Sequence, residues 1–205
     1  MSQALIHIVE DDGPVRTALA RLLHSAGFDI RGYASAGEFL AADRGDAPGC
    51  VVLDVALPGM SGIELQAAIA KRDNPPPIVF LTGRGDIDMS VRAMKAGAVD
   101  FLTKPVKRDA LLAAVGAAVA RDVQQRTRQH ELRSLRARFE KLTTREREVF
   151  RHVVRGKLNR QIADELGTSI RTVKAHRAHV MSKMETGSLA ELVSAAGRLE
   201  AVGNV

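Results

Sequence analysis

The chain contains a single cysteine, Cys50, so it can build neither an intramolecular disulfide framework nor a multi-cysteine zinc or iron–sulfur site. Tryptophan is absent and tyrosine occurs once beside six phenylalanines. That is too few aromatic faces for a protein that grips single strands by stacking on bases. No run approaches the roughly eighteen apolar residues of a membrane span, and no basic-then-apolar leader opens the chain. The expectation is a cytoplasmic protein with no membrane partner. A GxGxxG turn, a Walker lysine loop and a Ser-His-Asp set are all missing, which removes the commonest signatures of dinucleotide, P-loop and serine-hydrolase chemistry.

What is present is enough apolar material, 45% of 205 residues, for one or two folded domains. The net charge of +6 hides an asymmetry. Residues 1–120 hold 12 Lys and Arg against 14 Asp and Glu, net −2, whereas residues 121–205 hold 18 against 10, net +8. An acidic module is therefore joined to a basic one, and only the second suits a polyanion.

The acidic half alternates short β-rich runs with amphipathic windows. Strands are expected at 4–9, 28–33, 50–55, 77–82 and 98–103, and helices near 14–26, 35–42, 62–72, 87–96 and 107–120. Three of the strands are near-continuous apolar runs, as in a sheet covered on both faces. Asp12 or Gly13 before Pro14 suits a helix start, Ser61 an N-cap, and Gly27 and Gly97 fall just past helix ends. Five such units predict an α/β fold, a doubly wound parallel five-stranded (βα)5 domain with its site at the carboxyl ends of the strands.

The basic half carries no strand signal. Residues 121–140 continue the fifth helix as a linker, with Leu132, Leu135, Phe139 and Leu142 as a short apolar stripe. Thr143-x-x-Glu146 is a capping box, and Asn159, Ser169 and Ser188 can cap three further helices. Four short helices with a turn at Gly167, Thr168 and Ser169 predict an all-α helix-turn-helix domain. The expected division is 1–122, a helical linker 123–141, and 142–205.

Chemistry gathers at the strand ends. Glu10, Asp11 and Asp12 follow the first apolar run and Asp54 ends the third, so carboxylates converge at one sheet edge. Such a cluster suits a hard divalent cation such as Mg2+. Thr82 ends the fourth run and Lys104 follows the fifth; a hydroxyl and an ammonium beside metal-bound carboxylates make a phosphoryl site with Asp54 as nucleophile.

The segments IVEDDGPVR, LDVALPGMSGIEL, IVFLTGRGD and AMKAGAVDFLTKP resemble the receiver domain of two-component response regulators over residues 3–122. The resemblance implies the 2-1-3-4-5 strand order, Asp54 as phospho-acceptor from a sensor histidine kinase, and Mg2+ held by Asp11, by Glu10 through water, by Asp54 and by the Ala56 carbonyl. It makes Thr82 and Lys104 the phosphoryl contacts, Thr82 and Phe101 the switch pair, and Lys104-Pro105 a cis bond. Two departures stand out: Glu10 where Asp is commoner, and Phe101, an aromatic switch residue without a hydroxyl. Ala56 and Arg84 stand where that family tunes hydrolysis.

The string LTTREREVFRHVVRGKLNRQIADELGTSIRTVKAHRAHVMSKM resembles the LuxR-type helix-turn-helix of the FixJ/NarL family from residue 142 to about 200. Implied with it are promoter DNA as partner, homodimerisation on phosphorylation and a route to RNA polymerase. Lys174, Ala175 and Ala178 take the base-facing positions, with Arg177 or His179 supplying polar readout that alanines lack. Arg171, Thr172, Asn159 and Lys183 read as phosphate contacts. The resemblance therefore implies a response-regulator transcription factor, not an enzyme. Two alternatives stand beside it: a phosphorylation-independent DNA binder with a vestigial receiver, and a metal-dependent phosphohydrolase, which would want a second acid where Ala56 stands. His176, His152 and His7 read as structural, with no pair at metal-ligand spacing, Cys50 as a small buried hydrophobe, and Arg84-Gly85-Asp86 as the loop before a helix.

Overall fold

The computed structural model describes residues 4–43, 45–72, 74–83 and 87–201, and these form two compact units that divide between Arg126 and Thr127. The first unit contains β1 (Leu5–Val9), α1 (Gly13–Ser25), β2 (Asp29–Tyr33), α2 (Ala36–Ala41), β3 (Gly49–Asp54), α3 (Gly62–Ala70), β4 (Ile78–Thr82), α4 (Ile87–Lys95), β5 (Asp100–Thr103) and the first part of α5 (Arg108–Glu140). The five strands pair in parallel in the order β2-β1-β3-β4-β5. This is the doubly wound α/β sheet expected from the alternation of elements.

The helix starts follow the local chemistry. Asp12 Oδ1 accepts from the Val15 amide at 2.9 Å with Pro14 at the start of α1, and Ser61 and Glu64 form a reciprocal capping box on α3. β1, β3 and β4 are buried at every position, which matches their near-continuous apolar character; the polar exceptions are His7 within β1 and Asp54 and Thr82 at strand ends. One face of the sheet packs Val9, Phe39, Val51, Leu53, Leu65 and Phe80; the other packs Ile6, Ile8, Leu23, Val52, Leu111 and Val115. Cys50 is fully buried, and that burial pushes its thiol up to about 12, with the charge of Asp122 adding to the shift.

The second unit contains α6 (Thr144–Val154), α7 (Asn159–Leu166), α8 (Ile170–Met184) and α9 (Leu189–Glu200), around Phe139, Val149, Phe150, Ile162, Val173, Val180, Met184, Leu192 and Leu199. The expected linker, 123–141, is helical up to Glu140 as the second part of α5. Its residues divide between the units: Arg126 Nε donates to the buried Asp122 at 2.7 Å, while Leu135 and Phe139 enter the four-helix core.

One cap differs from expectation. Asn159 is the first residue of α7 and Leu158 the cap; the free Leu158 amide is taken by the Gln161 side chain at 2.8 Å. Asn159 is drawn off because its Oδ1 accepts from Arg177 Nη1 at 3.1 Å. At the other end of α7, Gly167 adopts φ 60°, a left-handed conformation cheap only for glycine, and so turns the chain into the Ser169 cap of α8.

Candidate functional site

Parallel strands deliver their last residues to one sheet edge, and the register aligns Val9 with Leu53 and Asp54 with Leu81. Glu10, Asp54 and Thr82 meet there, and all three are buried. One carboxylate oxygen from each of Glu10, Asp11 and Asp54 lies within 4.8 Å of the others, with Asp11 exposed. The Lys104 ammonium sits between two of them, 2.6 Å from Glu10 Oε2 and 2.9 Å from Asp54 Oδ2. The other Asp54 oxygen, Oδ1, accepts from the Ala56 amide at 3.2 Å. The Lys104 backbone N–H donates to the Thr82 carbonyl at 2.7 Å, which ties the lysine to the end of β4, and the Lys104-Pro105 bond is cis.

The electrostatics follow from burial against pairing. Burial raises the Glu10 pKa above the ordinary carboxylate value; the Lys104 hydrogen bond opposes that and the Asp54 charge reinforces it. Burial works against the Lys104 ammonium, but its bonds to Glu10 and Asp54 outweigh it, and its pKa stands above the usual lysine value. Three carboxylates gather at this edge, and the one ammonium beside them pairs with two, Glu10 and Asp54. The surplus negative charge and the all-oxygen donor set fit a hard divalent cation such as Mg2+.

Phe101 lies half-buried in β5, its ring centroid 5.9 Å from that of Phe80, in the core cluster on one face of the sheet. Ala56 is exposed, and Arg84 lies outside the described residues. Sequence reasoning missed Arg16, whose Nη1 donates to the Glu10 carbonyl at 2.6 Å and the Asp11 carbonyl at 3.3 Å and so pins the acidic turn. Its place on α1, six residues after Glu10, gave no signal.

On the second unit, Arg171, Lys174, Ala175, Ala178 and His179 are exposed along α8. At spacings of three and four they share one open face, a basic surface of the size a major groove admits. Thr172 is half-buried, its hydroxyl 2.8 Å from that of Ser169 at the helix start. Arg177 and Asn159 are spent on each other, and Lys183 Nζ donates to Glu146 Oε2 at 2.7 Å and to the Lys141 carbonyl at 3.3 Å. Burial alone would raise the Glu146 pKa, but Lys183 and Thr143 hold it down to about 2. Glu146 therefore joins α6 to α8, a role the capping-box motif alone did not reveal.

A parallel α/β sheet with this carboxylate–lysine edge, followed by a helix-turn-helix, defines a two-domain regulator. The family described as "Response regulator receiver domain" matches residues 6–116, and "Bacterial regulatory proteins, luxR family" matches residues 140–196. The chain belongs to the response regulators with a LuxR-type DNA-binding domain, which are transcription regulators rather than typical enzymes. It is 45% identical to Nodulation protein W of Bradyrhizobium diazoefficiens over 192 residues, 94% of this chain and 85% of that protein. It is 43% identical to the transcriptional regulatory protein FixJ of Azorhizobium caulinodans, over 92% of this chain and 89% of that one. Among solved structures, the response regulator StyR superposes with a TM-score of 0.86 at 43% identity, covering 96% of this chain and 100% of that one. Full-length FixJ from B. japonicum gives a TM-score of 0.59 at 39% identity, covering 98% and 99%. Among the described residues, no helix is long and apolar enough to cross a membrane.

Proposed function

We propose that Asp54 is the phospho-acceptor of a two-component relay and that its phosphorylation promotes dimerisation and sequence-specific promoter binding. The observation that carries this reading is the convergence of Glu10, Asp11 and Asp54 at the carboxyl end of the sheet, with Lys104 paired to Glu10 and Asp54. An Asp54 oxygen attacks the phosphorus of a kinase phosphohistidine; a P–O bond forms, the P–N bond breaks and the imidazole leaves. Asp11, Asp54 and the Ala56 carbonyl would hold Mg2+ directly and Glu10 through water, where the ion would neutralise phosphoryl charge. The Thr82 hydroxyl donates to the phosphoryl group. Lys104 exchanges its Asp54 contact for a phosphoryl oxygen. Withdrawal of that ammonium and of the Thr82 hydroxyl toward the new group biases the β4–β5 edge, including Phe101, toward a second arrangement. Because Phe101 carries no hydroxyl, packing alone retains its ring.

In this reading residues 1–122 are the receiver, 123–141 the linker helix and 142–205 the DNA-binding domain. Lys174 reads a base, Ala175 contacts a thymine methyl, Ala178 takes a second base-facing position, and His179 extends the same face. Arg171 and Thr172 hold phosphates. Arg177, Asn159 and Lys183 would have to loosen their internal bonds to reach DNA, so they contribute less than their charge suggests. Kinase, promoter DNA and RNA polymerase are all met in the cytoplasm.

The complete acidic set speaks against a vestigial receiver, and Ala56, in place of a second acid, against a phosphohydrolase. The test is labelling by acetyl phosphate followed by intact mass: the chain is labelled with Mg2+, and Asp54→Asn is not. Label persisting on another residue of that variant contradicts the reading.

A further inference from the structure

One titratable cluster lies away from the Asp54 edge and borders the open face of α8, with which it shares His179. Glu146, in the first turn of α6, is 3% exposed, and its Oε2 is occupied by the Thr143 amide at 2.8 Å and Lys183 Nζ at 2.7 Å. Its other oxygen, Oε1, faces α8, where His179 Nδ1 stands 3.7 Å away. His176 and His179 are three residues apart, so both rings leave the same side of that helix. One nitrogen from each and one Glu146 oxygen all lie within 4.8 Å of one another.

Two imidazoles and a carboxylate are a common first-row transition-metal donor set. Metal–ligand bonds of about 2.0–2.2 Å place tetrahedral donors roughly 3.3–3.6 Å apart. The 3.7 Å between His179 and Glu146 is close to that, and a small movement of the exposed His179 ring closes the difference. The buried carboxylate is fixed by its capping box, so one ligand is already in place.

We propose that Glu146, His176 and His179 form a transition-metal site on the helix-turn-helix unit, taking Zn2+ or a neighbouring divalent ion through two nitrogens and one oxygen, with water in the open position. Imidazole donors separate it from the all-oxygen edge around Asp54, which suits Mg2+. Lys183 is the built-in competitor. Its ammonium shares the Glu146 carboxylate, and the Lys141 carbonyl gives it a second acceptor when a dication arrives. The inference depends neither on Asp54 phosphorylation nor on DNA contact.

The test titrates the full-length, tag-free chain with Co2+ in excess Mg2+, following the visible absorption of four- or five-coordinate cobalt. An intense band that Zn2+ displaces is expected. His179→Gln and His176→Gln each weaken binding by about tenfold or more, and Lys183→Gln, which removes the competing charge, tightens it several-fold; far-UV circular dichroism establishes that each variant is folded. Absence of an intense band, binding indifferent to both histidine substitutions, or loss on His152→Gln instead overturns the proposal.

Discussion

The carbonyl oxygen of Asp54 lies 2.3 Å from the point that a Cβ on Gly62 would occupy, and the Gly62 amide donates to the Val55 carbonyl at 3.0 Å. The start of α3 is thus pressed against the backbone of Asp54. Gly62→Ala must push α3 away from Asp54 and is expected to destabilise the receiver by about 1–3 kcal/mol. Denaturant melts give the stability and acetyl-phosphate labelling the local effect; a variant as stable as the parent and labelled as fast would show that the contact is not a constraint.

Lys104 separates two buried carboxylates. Lys104→Met leaves Glu10 and Asp54 facing each other without their cation, at an expected cost of about 3 kcal/mol, reduced by the partial exposure of the lysine. A divalent cation restores the charge balance, so the loss in Tm should be recovered in large part by millimolar Mg2+. Calcium and magnesium titrations of the melting curve check this. A Tm insensitive to Mg2+ in the variant would mean that the carboxylates do not share an ion.

In the proposed reading the α8 face makes two kinds of DNA contact. Lys174→Ala should cost about 1–3 kcal/mol on a cognate site and much less on random DNA, as the loss of a base contact does. Arg171→Ala should weaken both about equally and lower the salt slope by about one, the signature of a phosphate contact. Binding curves at several salt concentrations on both DNAs distinguish these outcomes, and equal losses for Lys174→Ala would remove its reading role.

Cys50 supplies a pH dependence. Its thiol pKa is raised by burial to about 12 from an ordinary value near 9, so the folded chain resists forming the thiolate. Below pH 9 the group is neutral in both states and its contribution is intact; as pH rises from 9 toward 12 only the unfolded chain ionises freely, and stability falls. Cys50→Ala should flatten that alkaline decline. In the parent chain a thiol reagent should react at the rate of unfolding, and fast labelling at pH 8 would contradict the buried placement.

Most of the secondary structure was legible because its signals are local. Apolar runs, the Ser61–Glu64 and Thr143–Glu146 boxes, Pro14 after Asp12 and Gly167 after α7 act within one turn or one strand, and each marks its element to within a residue or two. Asn159 was misplaced for the converse reason: a capping residue is read from its neighbours, but Arg177 on another helix claimed its side chain. Arg16 and the Glu146 hub were equally hidden, since the first bonds backbone carbonyls that no sequence pattern marks and the second gains its charge partners from α8.

Sequence by itself determined the order of elements, the acidic and basic halves and the types of residue that end each strand, because periodicity, capping and charge are properties of neighbouring residues. Only the tertiary structure decided which of those residues touch. Lys104 reaches Glu10 and Asp54 across 94 and 50 residues because parallel pairing of β1, β3, β4 and β5 brings their carboxyl ends to one edge. His176 and His179 meet Glu146 because α6 packs on α8 through a shared apolar core. Those distances depend on how faces bury one another, and no local rule contains them.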